Sequence, residues 1–136
     1  MEAILVKDQK AAAFVMEDGT FEGVYRITEK VCGDVEQVTG VRPKIIKWQG
    51  ALQPAQVYVA TLGNSEMSEA IAEEEGIELS SLCGKRECFL FQVLKNGSLL
   101  IAGSDKRGTI YGLFHISELM GVSPVSYTHL TLPTKA

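Results

Sequence analysis

Ser98–Pro124 reads SLLIAGSDKRGTIYGLFHISELMGVSP, and its punctuation decides which kind of fold the chain builds. Leu99-Leu100-Ile101-Ala102 is a short apolar run between Gly97 and Gly103, the pattern of a buried strand. Ser104-Asp105-Lys106-Arg107-Gly108 is a polar, partly basic turn. After it Ile110, Leu113, Ser117 and Met120 recur at helical spacing, with Phe114 and Leu119 widening the apolar face. Gly121 marks a left-handed helix stop, with Pro124 just beyond it. Strand, glycine-bounded loop and helix in this order present the loop at the end of a sheet.

Working back from this stretch, Lys95-Asn96-Gly97-Ser98 predicts a hairpin turn with positive φ at both central positions. It joins Leu99–Ala102 to a strand over Cys88–Leu94. Val57–Leu62 is a strongly β-prone run, and Gly63-Asn64-Ser65 reads as a loop and helix cap. Met67, Ala70, Ile71 and Glu74 define a short helix ending at Gly76; Glu66 and Glu69 suit its dipole, whereas Glu73, Glu74 and Glu75 oppose it. Lys44–Trp48, opened by Pro43, is another strand. Val24, Ile27, Val31, Val35 and Val38 form the apolar stripe of a helix over Phe21–Thr39, with Asp18 or Thr20 as N-cap and Gly40 as C-cap. Ala11–Met16 predicts a strand, and Ala3–Val6 a short edge strand. The order strand, helix, strand, strand, helix, strand, strand, helix predicts an α/β (α+β) fold, a mixed β-sheet packed with helices, in one domain over residues 1–124.

The last stretch, Val125–Ala136 (VSYTHLTLPTKA), breaks the pattern. Reverse-translated, it fits one reading frame of the adapter of a transposase-based sequencing library. It is therefore expected to be a non-native tail that makes few packed contacts, and it is set aside from functional reasoning. Leaving out Lys135 takes the formal net charge from -4 to -5. An acidic chain with scattered Lys and Arg argues against a nucleic-acid partner, and no apolar stretch reaches membrane-spanning length. Met1-Glu2-Ala3-Ile4 lacks a basic, then long apolar, leader, and the 3 cysteines cannot all pair within one chain. These features predict a cytoplasmic setting, or a secreted or periplasmic one if Met1 is not the true start.

Gly103–Thr109 has the G-x4-G spacing of half a P-loop, but Thr109 and Ile110 stand where Lys and Ser/Thr are needed. Two readings remain: a backbone anion site at a helix N-terminus helped by Lys106 or Arg107, or a cap by Asp105 with the basic pair solvated. Cys83 and Cys88, with four residues between them and no second pair, fall short of a zinc site. Cys32 lies one position off its helix stripe and reads as a packing residue. Asp34, Glu36 and Glu118 read as solvated carboxylates. His115 reads as a helix-surface or partly buried histidine, and Trp48 as a packing residue at a strand end.

AGSDKRGTIYGLFHISELMGVSP also resembles the signature near the end of the N-terminal domain of glycoside hydrolase family GH115, the xylan α-1,2-glucuronidases. DVEQVTGVRP (Asp34–Pro43) and VYVATLGNS (Val57–Ser65) fit the same domain. A looser part of the signature, glycine followed by Tyr111-Gly112-Leu113 on a helix, resembles the accessory N-terminal domains of other barrel glycosidases, β-hexosaminidases among them. The resemblance implies an accessory domain whose partner is the catalytic barrel of the same polypeptide. The parent enzyme would remove glucuronic acid or its 4-O-methyl ether from xylan by inverting hydrolysis. The acid and base of that reaction would lie in the barrel, which takes about 250 residues and does not fit in this chain. No catalytic residue, cofactor or metal is expected here. The binding residues it implies are Asp105, Lys106 and Arg107, docking on the barrel or contacting the glucuronosyl substrate. The alternative is a free-standing α/β module that binds a small anion at Gly103–Gly108.

Overall fold

The computed structural model describes residues 2–7, 10–63, 65–82, 84–120 and 129–133. Four parallel strands and one antiparallel strand build the main sheet. They are β3 (Phe14–Met16), β4 (Ile45–Lys47), β5 (Val57–Thr61), β6 (Phe89–Val93) and β7 (Leu99–Gly103), in the order β4-β3-β5-β7-β6. β5 and β7 run parallel in register Val57↔Leu99 to Thr61↔Gly103, and β6 pairs with β7 antiparallel. The mixed sheet packed with helices that the sequence predicts is the fold observed.

Strand side chains alternate between faces, and here the alternation divides the core in two. Phe14, Met16, Val57, Val59, Leu99 and Ile101 face α1 (Glu22–Thr39) and α3 (Lys106–Met120). Val15, Tyr58, Ala60, Leu100 and Ala102 face the other way, where Met67 and Ile71 of α2 (Glu66–Glu75) cover them. β5 and β7 are apolar on both faces because both are covered, as central parallel strands require.

Helix α1 buries Val24, Val31 and Val35 and half-buries Ile27 and Val38, as its stripe predicts. Cys32 packs in the same core, where burial pushes its thiol up to about 11 and keeps it protonated. Gly40 ends the helix in the left-handed conformation (φ 81). Neither Asp18 nor Thr20 caps its start. Phe21 occupies the N-cap position without a side-chain bond, because the Thr20 hydroxyl donates instead to the Glu17 carbonyl at 2.6 Å. Helix α2 begins at Ser65, whose Oγ accepts the Ser68 N–H, and ends at left-handed Gly76 (φ 67).

The buried face of α3 is not the one its apolar spacing predicts. The face on the sheet is Thr109, Gly112, Leu113 and Ile116, whereas Leu119 is exposed and Phe114 half-buried. Ser117 is half-buried and donates to Asp34 Oδ2 at 2.8 Å, so Asp34 lies at the α1–α3 contact rather than in solvent. Gly121 and Pro124, read as the helix stop, lie outside the described residues.

The turn between β6 and β7 also differs. Gly97 alone has positive φ (85), Gly97 N–H donates to the Leu94 carbonyl at 3.0 Å, and Leu94 N–H donates to the Ser98 carbonyl at 2.7 Å. This is a tight turn closed by a glycine bulge. Asn96 is used through its side chain, which accepts the Ser98 N–H at 3.0 Å.

Ala11–Met16 is two strands, not one: β2 (Lys10–Ala11) and β3. β2 joins β1 (Glu2–Lys7) and β8 (His129–Pro133) in a separate sheet of order β2-β1-β8, so β1 is central, not an edge. The expectation of few contacts from the tail fails for His129–Pro133, whose backbone pairs with β1; Tyr127 lies outside the described residues. Leu130-Thr131-Leu132 alternates apolar and polar, and a strand with unpaired backbone groups accepts such a segment readily.

Candidate functional site

In open α/β sheets, ligands bind beyond the carboxyl ends of the strands where successive connections leave for opposite faces. Here that point lies between β3, which leads into α1 on one face, and its neighbour β5, which leads into α2 on the other. A cleft of about 350 Å³ opens there, lined by Glu17, Thr20, Phe21, Thr61, Gly63 and Asp105 among others. A second cleft, of about 380 Å³, lies on the β4 side of the same Glu17–Thr20 loop and includes Tyr25, Ile46 and Lys47. Phe21 and Tyr25 are 51% and 44% exposed, so the rim between the clefts is aromatic.

The cleft's carboxylates are committed to structure. Glu17 caps α2: it accepts the Ser65 hydroxyl on Oε1 and the Met67 N–H on Oε2 at 3.2 Å. Asp18 pairs with Lys47 at 3.0 Å on the surface. Asp105 is the N-cap of α3, accepting the Gly108 N–H on Oδ1 at 2.8 Å and the Glu87 N–H on Oδ2 at 3.0 Å. These two bonds, Gly108's first and Glu87's second, hold its carboxyl below the usual carboxylate range.

The three residues singled out in the sequence are therefore brought to the carboxyl end of β7, but they do different work. Lys106 and Arg107 belong to the first turn of α3, not to a loop. Arg107 forms an ion pair with Glu87 at 2.8 Å, which raises its already high pKa. Asp105, Arg107 and Glu87 thus form a clamp that fastens the segment before β6 to the start of α3. Lys106 lies over Gly23 of α1, its Cε 2.9 Å from where a Cβ on Gly23 would sit. Among the described residues it has no ion-pair partner within reach.

An anion at the Gly103–Gly108 loop would compete with groups already placed. The Gly108 N–H is taken by Asp105, the Thr109 N–H by the Asp105 carbonyl at 3.0 Å, and the Ser104 N–H by the Cys88 carbonyl at 2.8 Å. The glycines of this stretch serve packing. A Cβ on Gly103 would overlap Thr109, one on Gly108 would overlap the Cys88 carbonyl, and one on Gly112 would lie 2.5 Å from Ile101 Cγ2. Gly108 is helical, not the pivot of a tight turn. Thr109, missed in the sequence, shares a hydroxyl–hydroxyl bond of 2.6 Å with Thr61 across β5 and α3.

The other candidates resolve into structure. His115 packs edge-on to Phe91 with centroids 4.8 Å apart. Trp48 packs edge-on to Tyr58 at 6.2 Å. Glu36 approaches Arg42 at 3.5 Å, and Glu118 is exposed, 3.7 Å from His115. Cys88 is half-buried and free; Cys83 lies outside the described residues. Among the described residues no cluster of His, Cys, Asp or Glu is grouped to hold a metal.

Because the Asp105 pKa is lowered on folding, its charge stabilises the fold above the unfolded carboxyl value, near 3.9, and that contribution fades as pH falls through the folded value. Asp105→Asn keeps an acceptor for Gly108 but turns a donor toward the Glu87 N–H. We expect its Tm to lie below that of the parent chain at neutral pH and the gap to close in acid. A gap that persists unchanged to pH about 2 would show that the carboxylate charge is not what holds the clamp.

No protein-family model matches the chain, and no curated protein matches it. Among solved structures the chain is similar to BtGH115A, a family GH115 4-O-methyl-α-glucuronidase with specificity for decorated arabinogalactans. The match has a TM-score of 0.71 and 30% identity and covers 90% of this chain and 15% of that one. CpGH84D matches with a TM-score of 0.66 at 11% identity over 95% of this chain and 20% of that one, a likeness of fold alone. The chain therefore spans about a seventh of the glucuronidase it resembles.

Proposed function

We propose that this chain is the N-terminal accessory domain of a GH115-type glycoside hydrolase and contributes structure, not catalytic groups, to that enzyme. The observation that carries the reading is the match of 90% of this chain to 15% of a 4-O-methyl-α-glucuronidase at 30% identity. The commitment of the cleft carboxylates supports the second half. Inverting hydrolysis needs one carboxyl held protonated as acid and another as base. Asp105 is pushed the opposite way, and Glu17 caps a helix.

The substrate class is a polysaccharide bearing terminal glucuronic acid or its 4-O-methyl ether. Xylan is the carrier implied by the sequence resemblance, and the neighbour's specificity for decorated arabinogalactans adds a second carrier to test. The aromatic rim of Phe21 and Tyr25, with Lys106 nearby, is the face that docks on the barrel.

The test uses the full-length parent and this chain side by side, on glucuronoxylan and on decorated arabinogalactan. The parent should release glucuronic acid from one or both, and this chain from neither. Turnover by this chain would overturn the accessory role, and an inactive but folded parent would overturn the enzyme class. Lys106→Ala in the parent should lower Tm at unchanged KM. A raised KM at unchanged Tm would assign Lys106 to substrate instead, and no change in either would remove it from the docking face.

A further inference from the structure

β1 is held on both sides, and the two sides are held differently. β2 is joined to it by a short connection in register Val6↔Ala11 and Lys7↔Lys10. β8 comes from the far end of the chain and runs antiparallel along nearly all of β1, from Glu2↔Pro133 to Lys7↔His129. The register shifts between Ile4 and Val6, so Leu5 is a bulge on β1. Bulges are built into a strand's own backbone and re-aim the next side chain. In β1 that side chain is Val6, fully buried in the core shared with α1 and α3. β1 is thus anchored in the domain by Val6, while one whole backbone edge is offered to a strand that arrives after α3.

The segment that takes this edge belongs to the stretch whose sequence reads as a non-native tail. It contributes the alternation Leu130-Thr131-Leu132 and main-chain groups. Main-chain hydrogen bonds supply affinity in strand addition, and side chains add specificity only where pockets receive them.

We infer that β1 is a strand-acceptor edge, tolerant of sequence, for the extended segment that comes after α3. In the full-length parent that segment is the linker leaving this domain, so pairing with β1 fixes where the rest of the enzyme begins. The acceptor property stands by itself; its use as the exit anchor rests on the accessory-domain reading.

The experiment is amide hydrogen exchange on the 136-residue chain with two variants. Thr131→Pro/Leu132→Pro removes ladder donors whichever way the pleat points. It should lower protection of the Glu2–Lys7 amides at least about tenfold while leaving β5 and β7 protected, since edge ladders open locally. Leu130→Ile/Thr131→Val/Leu132→Ile keeps the β-prone run and changes every side chain, and should retain the protection. Protection unchanged in the proline variant, or its loss spreading to β5 and β7, would overturn the local acceptor edge. Loss in the variant that keeps the β-prone run would overturn the tolerance of sequence. None of these readouts involves glucuronate release, so a failure here is distinct from a failure of the glycosidase reading.

Discussion

Gly108→Ala is expected to cost this domain about 3 kcal/mol or more, a large share of the stability of a domain this size. The added methyl would overlap the Cys88 carbonyl oxygen and lie 3.0 Å and 3.1 Å from the carbonyl carbon and nitrogen of the same residue. All three are backbone atoms and cannot swing aside. Cys88 is also held on both sides: Ser104 N–H donates to its carbonyl at 2.8 Å, and its own N–H donates to Ser104 Oγ at 3.0 Å. Relief requires pulling α3 off the segment before β6, which breaks the Asp105–Glu87–Arg107 clamp. Gly40→Ala provides the contrast. Gly40 has φ 81 but open space around it, so only backbone strain of about 1 kcal/mol applies. Urea unfolding of both variants separates crowding from φ preference. A loss below about 1 kcal/mol at Gly108 would mean that the Cys88 segment gives way, against the close approach described.

Leu113→Ala should lower stability by about 3 kcal/mol. Leu113 is fully buried between α3 and the sheet, in the core that also contains Ile101 and Ile116. Truncation leaves a cavity that rigid strand neighbours cannot fill. Leu119→Ala, at a residue 38% exposed, should change stability by no more than about 0.5 kcal/mol. Helical spacing in the sequence ranks the two leucines together, so the pair of measurements tests where the buried face lies. Equal losses would restore the wider face.

The features legible in the sequence were those that short segments decide for themselves. The valine stripe of α1, the Ser65 cap and Gly76 stop of α2, and the apolar run of β7 between glycines all carry local signals. The features that stayed hidden depended on partners distant in the chain. Glu87 joins the start of α3 from 18 residues before Asp105, in a left-handed backbone (φ 55) that no residue type there announces. The break between β2 and β3 is hidden because three alanines before Phe14 suit either an unbroken strand or a crossing between sheets. Asn96-Gly97 is a strong turn signal, but the choice of turn fell to the bonds across Leu94 and Ser98. At the candidate site, the position of Asp105, Lys106 and Arg107 was legible. Their division of labour was not, because it depends on Glu87 and Gly23.

The caps at the carboxyl end of the sheet have a consequence for the field that the domain casts into solvent. Three helices begin at this end, and each start carries partial positive charge. α2 has Glu17 and Glu66 against it, α3 has Asp105, and α1 has Glu22 in its first turn. The partial positive charge at these starts is therefore met by carboxylates, with Lys106 and Arg107 beside Asp105 in the first turn of α3, on a chain of net charge -4. A dissolved polyanion would find its attraction to Lys106 and Arg107 offset by these carboxylates, so its approach to this surface should change little with ionic strength.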